Sequence, residues 1–220
     1  MSYTKTEENY LKAIYKLYSN KGMEVATNVI AEKLNTKASS VTDMMKKLAQ
    51  KKLVNYEKYK GVSLTKDGDE IAINIIRNHR IWEVFLVEKL GYKWDEVHEI
   101  AEQLEHIKSD ELVDRLSDYL GNPQYDPHGD PIPNKKGILP KRKKAAILNE
   151  LEVGEKGIIV GVRNTSIQFL QYLEETNLTI GQEISVQKEF EFDKSKVLEV
   201  NKKKVTISKE VSTQLIIEKI

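Results

Sequence analysis

The chain has 220 residues, of which 31% are charged, and it has a formal net charge of +1 and no cysteine. The absence of cysteine excludes disulfide bonds and thiolate metal sites. No apolar run approaches the roughly 18 residues of a membrane span, and the N-terminal residues lack the apolar core of a signal peptide. The sequence therefore predicts a cytoplasmic protein with no membrane partner.

The near-neutral total hides opposite charges in two parts of the chain. Residues 1–60 contain twelve lysines and six acidic residues, a net charge of +6. Residues 93–121 contain three basic and nine acidic residues, a net charge of −6. This distribution predicts that the N-terminal part binds an anion and that the acidic part binds cations.

Three helices and a hairpin are predicted for residues 1–64. Thr4 or Thr6 can cap the first helix, EENYLKAIYKLYSN, whose apolar residues form one stripe. A short helix from Thr27, a tight turn and a third helix from Ala38 follow the pattern of a helix-turn-helix. Two short strands around Lys60 then form a wing. This order predicts a winged helix-turn-helix.

The exposed side chains of this winged helix suit DNA. Short polar groups at the start of the third helix can meet base edges, and lysines can hold phosphates. The predicted DNA-binding residues are Thr6, Lys37, Ser39, Ser40, Thr42, Asp43, Lys46, Lys58, Tyr59 and Lys60. A winged helix that contacts protein is the alternative interpretation.

The remaining residues predict an α+β chain with four parts. A long helix capped by Thr65 and two shorter helices, the last capped by Ser109, fill residues 65–121. All five prolines lie in residues 122–144, and apolar and polar residues alternate after them. The prediction is a winged helix-turn-helix domain (1–64), a helical domain (65–121), a proline-rich linker (122–144) and a small β-barrel (145–220).

The stretch from His79 to His106 contains three of the four histidines. His79 and Glu83 are one helical turn apart, and His98, Glu102, Glu105 and His106 share one face of the next predicted helix. His98 and His106 are about 12 Å apart along that helix, so one ion with bonds of about 2.1 Å cannot bind both. A metal constellation here must therefore hold two ions. The alternative is a solvated acidic face with incidental histidines.

These pieces together resemble the diphtheria toxin repressor and manganese transport regulator family across nearly the whole chain. The resemblance is carried by TEENYLKAIYKL, the helix-turn-helix, NHRIWEVFL, VHEIAEQLEHIKSDEL, NPQYDPHGDPIP and the C-terminal barrel. It implies that residues 65–121 form a helical dimerisation and metal-binding domain and that residues 145–220 form an SH3-like (FeoA-like) barrel. It also implies a non-enzymatic homodimer that binds a double-stranded DNA operator when Fe(II) or Mn(II) is bound and represses metal-uptake genes.

The resemblance also implies which residues bind metal. The primary site would use Glu102, Glu105 and His106 with Asn9 of the first helix, where Glu7 or Glu8 could substitute for Asn9. The ancillary site would use His79, Glu83 and His98. Further ancillary ligands could come from the linker or the barrel, namely Asp126, His128 and Gln168.

Glu102 occupies the position of a cysteine in the iron-type members of the family. Since a carboxylate favours harder ions than a thiolate does, Mn(II) is the expected ion, with two ions per chain. An Fe(II)-dependent repressor is the first alternative. A dinuclear metalloenzyme and a regulator that senses an organic ligand in the barrel are more remote alternatives.

Overall fold

The structure is a computed structural model that describes residues 3–21, 24–57, 60–142 and 145–220. The helices are α1 (Lys5–Lys21), α2 (Thr27–Lys33), α3 (Ala38–Gln50), α4 (Lys66–Leu90), α5 (Val97–Leu104), α6 (Asp110–Tyr119), α7 (Ile167–Glu175) and α8 (Lys209–Ser212). The strands are β1 (Val54–Glu57), β2 (Gly61–Leu64), β3 (Ala145–Ile147), β4 (Lys156–Val162), β5 (Glu183–Glu189), β6 (Lys196–Val200), β7 (Lys203–Ile207) and β8 (Leu215–Lys219).

The chain forms two compact units. The first comprises the described residues up to His79 together with Glu102–Asp114 and Pro133–Ile138. The second comprises Arg80–Ala101, Arg115–Ile132 and Leu139–Ile220. The domain boundaries expected from the sequence stay predictions.

The predicted winged helix-turn-helix is confirmed in the first unit. Helices α1, α2 and α3 enclose a core that includes Leu11, Ile30 and Leu48, and β1 pairs with β2 in an antiparallel hairpin. Val25 exchanges backbone hydrogen bonds of 2.9 Å with Val62, which attaches the chain before α2 to the wing. The apolar stripes read from the sequence are therefore the surfaces that pack this core.

Polar caps set the starts of several helices, as the sequence predicted. The backbone N–H of Gly68 donates to Thr65 Oγ1 at 3.2 Å, and that of Leu112 donates to Ser109 Oγ at 3.3 Å. Of the two candidates before α1, Thr4 is the cap, because its Oγ1 accepts from the N–H of Glu7 at 3.3 Å. These contacts satisfy N–H groups that have no partner within their own helix.

The helix that carries the acidic face is shorter than predicted. Helix α5 ends at Leu104, so Glu105 and His106 lie in the turn that follows it and not on the helical face expected for them. The backbone forms a tight turn there, in which the N–H of Ile107 donates to Leu104 O at 3.1 Å. Helix rise alone therefore does not describe how His106 is placed relative to His98.

Residues 122–132, the first part of the proline-containing segment after α6, form a loop within the second unit. Asp126 Oδ1 accepts hydrogen bonds of 2.9 Å from the backbone N–H groups of His128 and Asp130. The carbonyl of His128 accepts from the N–H of Val162 in β4 at 3.0 Å. This backbone bond fixes the histidine-containing loop to the C-terminal sheet.

The C-terminal part is a six-stranded antiparallel sheet in the order β3-β8-β4-β5-β6-β7. Its core consists of alternate residues of the strands together with Leu170 and Leu173 of α7. The burial alternation along β6 matches the period of two that the sequence predicted. In the described part of the chain, no helix is long and apolar enough to span a membrane.

Gly129 is the point of closest approach between the histidine-containing loop and β4. Its φ is +85°, and a Cβ there would lie 2.2 Å from Val160 O and 2.4 Å from Gly161 Cα. We expect Gly129→Ala to lower the free energy of unfolding by about 3 kcal/mol, because backbone atoms must move. Urea denaturation followed by the fluorescence of Trp82 and Trp94, both in the second unit, measures this loss.

Gly154→Ala is the matched control for that substitution. Gly154 has a similar φ of +91°, but a Cβ there meets no atom within 4 Å. Only the backbone conformation then opposes the methyl group, which costs about 1 kcal/mol. Equal losses for the two variants would show that the close approach at Gly129 does not matter.

Candidate metal centres and nucleic-acid interface

The first unit contains a group of charged and imidazole side chains that we call the first cluster. Its members are Glu8, Lys12, His79, Glu102, Glu105 and His106. Glu105 lies at its centre with a fully buried side chain, and its Oε2 is 2.6 Å from both Lys12 Nζ and His79 Nδ1. Lys12 Nζ also donates to Glu102 Oε1 at 2.8 Å. The cluster therefore joins α1, α4, α5 and the turn after α5.

His106 has one ring nitrogen occupied and the other directed at Glu105. Its Nδ1 is 2.6 Å from Glu8 Oε2, and its Nε2 is 3.6 Å from Glu105 Oε1. A carboxylate accepts a hydrogen bond, so Nδ1 carries the proton and Nε2 keeps the lone pair that a metal needs. Glu8 is thus placed to orient His106.

Glu105 Oε1 is buried and lacks a hydrogen-bond partner among the described residues, and the same holds for Asn9 Oδ1 of α1. A buried polar atom without a partner costs free energy that a bound cation would recover. A cleft of about 450 Å³ is bordered by Glu8, Glu105 and His106. The residues present therefore fit a divalent metal ion.

The second unit contains another group of possible ligands, which we call the second cluster. Its members are Glu83, His98, Asp126 and His128. Glu83 Oε1 is 3.3 Å from His98 Nδ1, and Glu83 Oε2 is 3.7 Å from His128 Nδ1. Glu83, Asp126 and His128 each offer an atom within 4.8 Å of the other two. The carboxylates of Glu83 and Asp126 and the imidazole of His128 are all buried, and they therefore converge on one point.

The partners of His128 leave one ring nitrogen available to a metal. His128 Nε2 is 2.7 Å from the carbonyl oxygen of Trp94, so this nitrogen carries a proton and donates it. The indole of Trp94 also stacks on the imidazole with a centroid separation of 6.2 Å. His128 Nδ1 therefore faces Glu83.

Burial and charge shift the titration of the second cluster. Burial, together with the negative charges of Glu83 and Asp130, raises the pKa of Asp126. Burial alone would lower the pKa of His128, but the hydrogen bond and charge of Glu83 and the charge of Asp126 raise it to about 9. At neutral pH the cluster therefore retains protons, and a metal ion has to displace them.

The donor atoms of both clusters are carboxylate oxygens and imidazole nitrogens. Such donors suit Mn(II), and they also accept Fe(II). Gln168, the barrel residue expected to contribute a ligand, is exposed on α7. The assignment of individual ligands stays a prediction.

The residues predicted to bind DNA lie on the open surface of the winged helix. Thr6, Lys37, Ser39, Ser40, Asp43, Lys46 and Lys60 are exposed, and Thr42 is half-buried. Lys46 Nζ is 3.3 Å from Asp43 Oδ1, and Lys60 Nζ is 2.6 Å from Glu57 Oε2, both in exposed pairs. Lys58 and Tyr59 lie outside the described residues. The exposed face of α3 is therefore accessible to a ligand as large as a duplex.

Helix α1 is also attached to α3. The buried carboxylate of Glu7 lies 3.2 Å from Lys47 Nζ and 2.7 Å from Lys51 Nζ. Burial would raise the pKa of Glu7, but hydrogen bonds from Lys51, the backbone of Thr4 and Lys47 lower it to about 2. Glu7 therefore contacts α3 while the neighbouring residue Glu8 contacts His106.

Sequence reasoning missed the roles of Lys12 and Glu7. Lys12 lies four residues after Glu8, so the two share one face of α1, and this spacing was the available signal. Glu7 gave a weaker signal, because its partners Lys47 and Lys51 are 40 and 44 positions later in the sequence and only folding brings them together. His79, expected in the ancillary site, contacts Glu105 of the first cluster.

Comparison with family descriptions matches most of the chain. Residues 2–62 match "Iron dependent repressor, N-terminal DNA binding domain", and residues 65–134 match "Iron dependent repressor, metal binding and dimerisation domain". Residues 147–219 match "FeoA domain". Together with the six-stranded sheet, the last match confirms the predicted small C-terminal β-domain.

Three of the proteins that are similar to this chain have 32–36% identity to it. The HTH-type transcriptional regulator MntR of Oceanobacillus iheyensis is 36% identical over 117 residues, which are 53% of this chain and 78% of that protein. The iron-dependent repressor IdeR of Mycobacterium bovis is 34% identical over 128 residues, 58% of this chain and 55% of that one. A solved structure of a manganese-dependent transcriptional repressor in complex with manganese has a TM-score of 0.85 and 32% identity, and the match covers 97% of this chain and 100% of that chain.

The attachment of α1 to α3 gives a stability prediction. Glu7→Gln should lower the free energy of unfolding by about 1–2 kcal/mol at pH 7, because two lysines lose a charged hydrogen-bond acceptor. The folded-state pKa of Glu7 is lowered from 4.5 to about 2, so its contribution is present above pH 4.5 and disappears as pH falls towards 2. Urea denaturation should show the same difference between variant and parent at pH 7 and pH 5, and a smaller difference at pH 3.5.

Glu57→Gln removes a carboxylate from an exposed ion pair of the same unit and serves as the control. We expect a change below about 0.5 kcal/mol, because exposed pairs contribute little. If Glu7→Gln changes stability no more than Glu57→Gln does, Glu7 does not hold α1 and α3 together.

Proposed function

Because this chain belongs to the diphtheria toxin repressor family of metal-dependent transcriptional repressors, we propose that it is a homodimer that binds operator DNA when Mn(II) is bound. Repression of metal-uptake genes is the role that we assign to it. The proposed division is a DNA-binding domain (1–64), a dimerisation and metal-binding domain (65–121), a linker (122–144) and a barrel (145–220). Two ions per chain are proposed, one in each cluster.

One observation carries this proposal, namely that α1 makes buried polar contacts in two directions. Glu8 and Lys12 reach His106, Glu102 and Glu105 in the first cluster. Glu7 reaches Lys47 on α3 and Lys51 directly after it. A change in the charge of the first cluster therefore acts on α1, which also contacts α3.

We propose that Glu102, Glu105 and His106 bind the ion of the first cluster. Asn9 Oδ1 is a further candidate because it is buried and lacks a partner among the described residues. Glu8 is a positioning residue, since its contact with His106 Nδ1 leaves Nε2 free to coordinate. His79 supports Glu105 through its 2.6 Å contact with Oε2.

In the second cluster we propose Glu83, His98, Asp126 and His128 as ligands. Asp126 and His128 are placed by the loop that β4 holds, so the C-terminal domain contributes through positioning. Gln168 stays a candidate for a ligand from the barrel, although its side chain is exposed.

A divalent ion held by the carboxylates and imidazoles of each cluster would supply the positive charge that balances them. In the first cluster this would act on α1 through its side-chain contacts. Glu8 would move with His106, and Lys12 would move with Glu102 and Glu105. With α1 fixed, α3 is fixed through Glu7. Two α3 helices of a dimer held at one spacing match an operator with two-fold symmetry.

On the DNA, short polar groups of α3 such as Ser39 and Ser40 would meet base edges. Lys46 and the wing lysine Lys60 would contact phosphates. Because phosphate contacts dominate affinity, binding should depend steeply on salt concentration.

Fe(II) is the second candidate ion. The donor set of both clusters accepts it as well as Mn(II), and the similar IdeR protein is described as iron-dependent. The carboxylate of Glu102 in the proposed primary site favours Mn(II). The dinuclear-enzyme interpretation has no comparable support, since the matching family is one of transcription regulators.

Metal-gated DNA binding is the direct test. Selection from a pool of random duplexes in the presence of Mn(II) should recover a sequence with two-fold symmetry. Fluorescence anisotropy on that duplex should show binding about 5- to 150-fold tighter with Mn(II) than with EDTA, the usual range of such coupling. Equal affinity in the two conditions would falsify the proposed function.

Lys46→Ala tests the proposed DNA-binding face in the same assay. It should weaken binding to every duplex and lower the salt dependence by about one ion. Lys156→Ala, which removes an exposed lysine from the C-terminal sheet, should change neither quantity. If the two variants behave alike, α3 does not contact the DNA.

The two proposed sites can be separated by stoichiometry. His106→Ala should remove the ion of the first cluster and with it metal-activated DNA binding. His128→Ala should remove the ion of the second cluster and leave partial activation. Equilibrium dialysis with elemental analysis should give two Mn(II) per chain for the parent and one for each variant. A parent value of one, unchanged by His128→Ala, would show that the second cluster does not bind metal.

A further inference from the structure

Lys12 is a buried cation inside a group of metal-ligand side chains. Its side chain is only 7% exposed, and its Nζ lies 2.8 Å from Glu102 Oε1 and 2.6 Å from Glu105 Oε2. His79, Glu102 and Glu105 each offer an atom within 4.8 Å of the other two, which is a spacing suited to one metal ion. The ammonium group therefore contacts two of the three side chains that would make up such a site.

The two oxygens of Glu105 have different surroundings. Oε2 is taken by Lys12 Nζ and His79 Nδ1, each at 2.6 Å. Oε1 has no hydrogen-bond partner in the described part of the chain, and His106 Nε2 lies 3.6 Å from it. One side of this carboxylate is therefore neutralised by the protein, and the other side is directed at a proposed ligand nitrogen.

The formal charges of the first cluster also favour a single metal ion over two. Glu8, Glu102 and Glu105 supply three negative charges, and Lys12 supplies one positive charge. The remaining two negative charges balance one divalent ion. Two divalent ions would leave the cluster with an excess of positive charge, which is costly around a fully buried carboxylate.

We propose that the Lys12 ammonium takes the position of a second divalent ion in the first cluster, so that Lys12 limits this cluster to a single ion. The inference rests on the proposed metal binding, and it assigns that ion to Glu105 Oε1 and His106 Nε2. Lys12 is thereby a determinant of metal stoichiometry and a fixed link between α1 and Glu105.

The test replaces Lys12 and counts ions. We use the His128→Ala background, in which the second cluster is removed, and the full chain is kept. Lys12→Gln replaces the ammonium with a neutral amide oxygen that can bind a metal, and Lys12→Glu adds a fourth carboxylate. Equilibrium dialysis against Mn(II) should give one ion per chain before the substitution and two ions after either substitution.

Electron paramagnetic resonance provides a second readout. Two Mn(II) ions bridged by one carboxylate should show an exchange-coupled spectrum, whereas a single ion gives the ordinary six-line signal. If Lys12→Glu fails to fold without metal, Lys12→Gln still decides the question. Thermal unfolding in EDTA should show a lower melting temperature for Lys12→Gln, because Glu105 loses its cation, and Mn(II) should restore it.

Two control variants separate this effect from general charge removal. Lys12→Arg keeps the positive charge, so its stoichiometry should stay at one. Lys46→Gln removes an exposed lysine of the same unit and should also stay at one. Two ions in the Lys46→Gln variant would overturn the assignment to Lys12.

The failures of the two proposals are distinguishable. If the first cluster binds no Mn(II) before any change at Lys12, the proposed function fails. If it binds one ion and both Lys12→Gln and Lys12→Glu still bind one, the proposed function stands and the role of Lys12 is wrong. If it already binds two ions with Lys12 present, the role of Lys12 is equally wrong.

Discussion

The first unit depends on how the charge of Glu105 is neutralised. A carboxylate with no exposed side-chain area is very unfavourable unless cations or hydrogen-bond donors surround it. Here Lys12, His79 and His106 come from three different parts of the sequence to meet it. Helices α1 and α4 and the turn after α5 are therefore held together by the requirement that this one charge be compensated.

That requirement gives α1 its function as a connecting element. The sequence Glu7-Glu8 places two carboxylates on different sides of the same helix, one at Lys51 and one at His106. Neither contact is an exposed surface pair, so both resist screening by salt better than exposed pairs do. A winged helix that is rigid internally can therefore respond to the ionic state of a cluster that lies outside its own core.

Much of the fold could be predicted because it depends on local patterns. Apolar spacing and the caps at Thr65 and Ser109 define helices within a few residues, and alternation defines the C-terminal strands. The end of α5 was wrong, because the tight turn after Leu104 has no glycine or proline to mark it. His79 was expected with Glu83 and His98, and its contact with Glu105 could not be read from the sequence. The assignment of His79 to one site stays a prediction.

The hydrogen bond between His128 O and Val162 N has an energetic consequence for the C-terminal domain. Because this bond and the close packing at Gly129 position His128, the free energy that keeps the sheet folded also keeps a proposed ligand in place. By thermodynamic linkage, an ion that binds better to the ordered loop must stabilise the sheet by the same amount. The C-terminal domain then supports the second cluster, and an ion bound there would make the sheet harder to open locally.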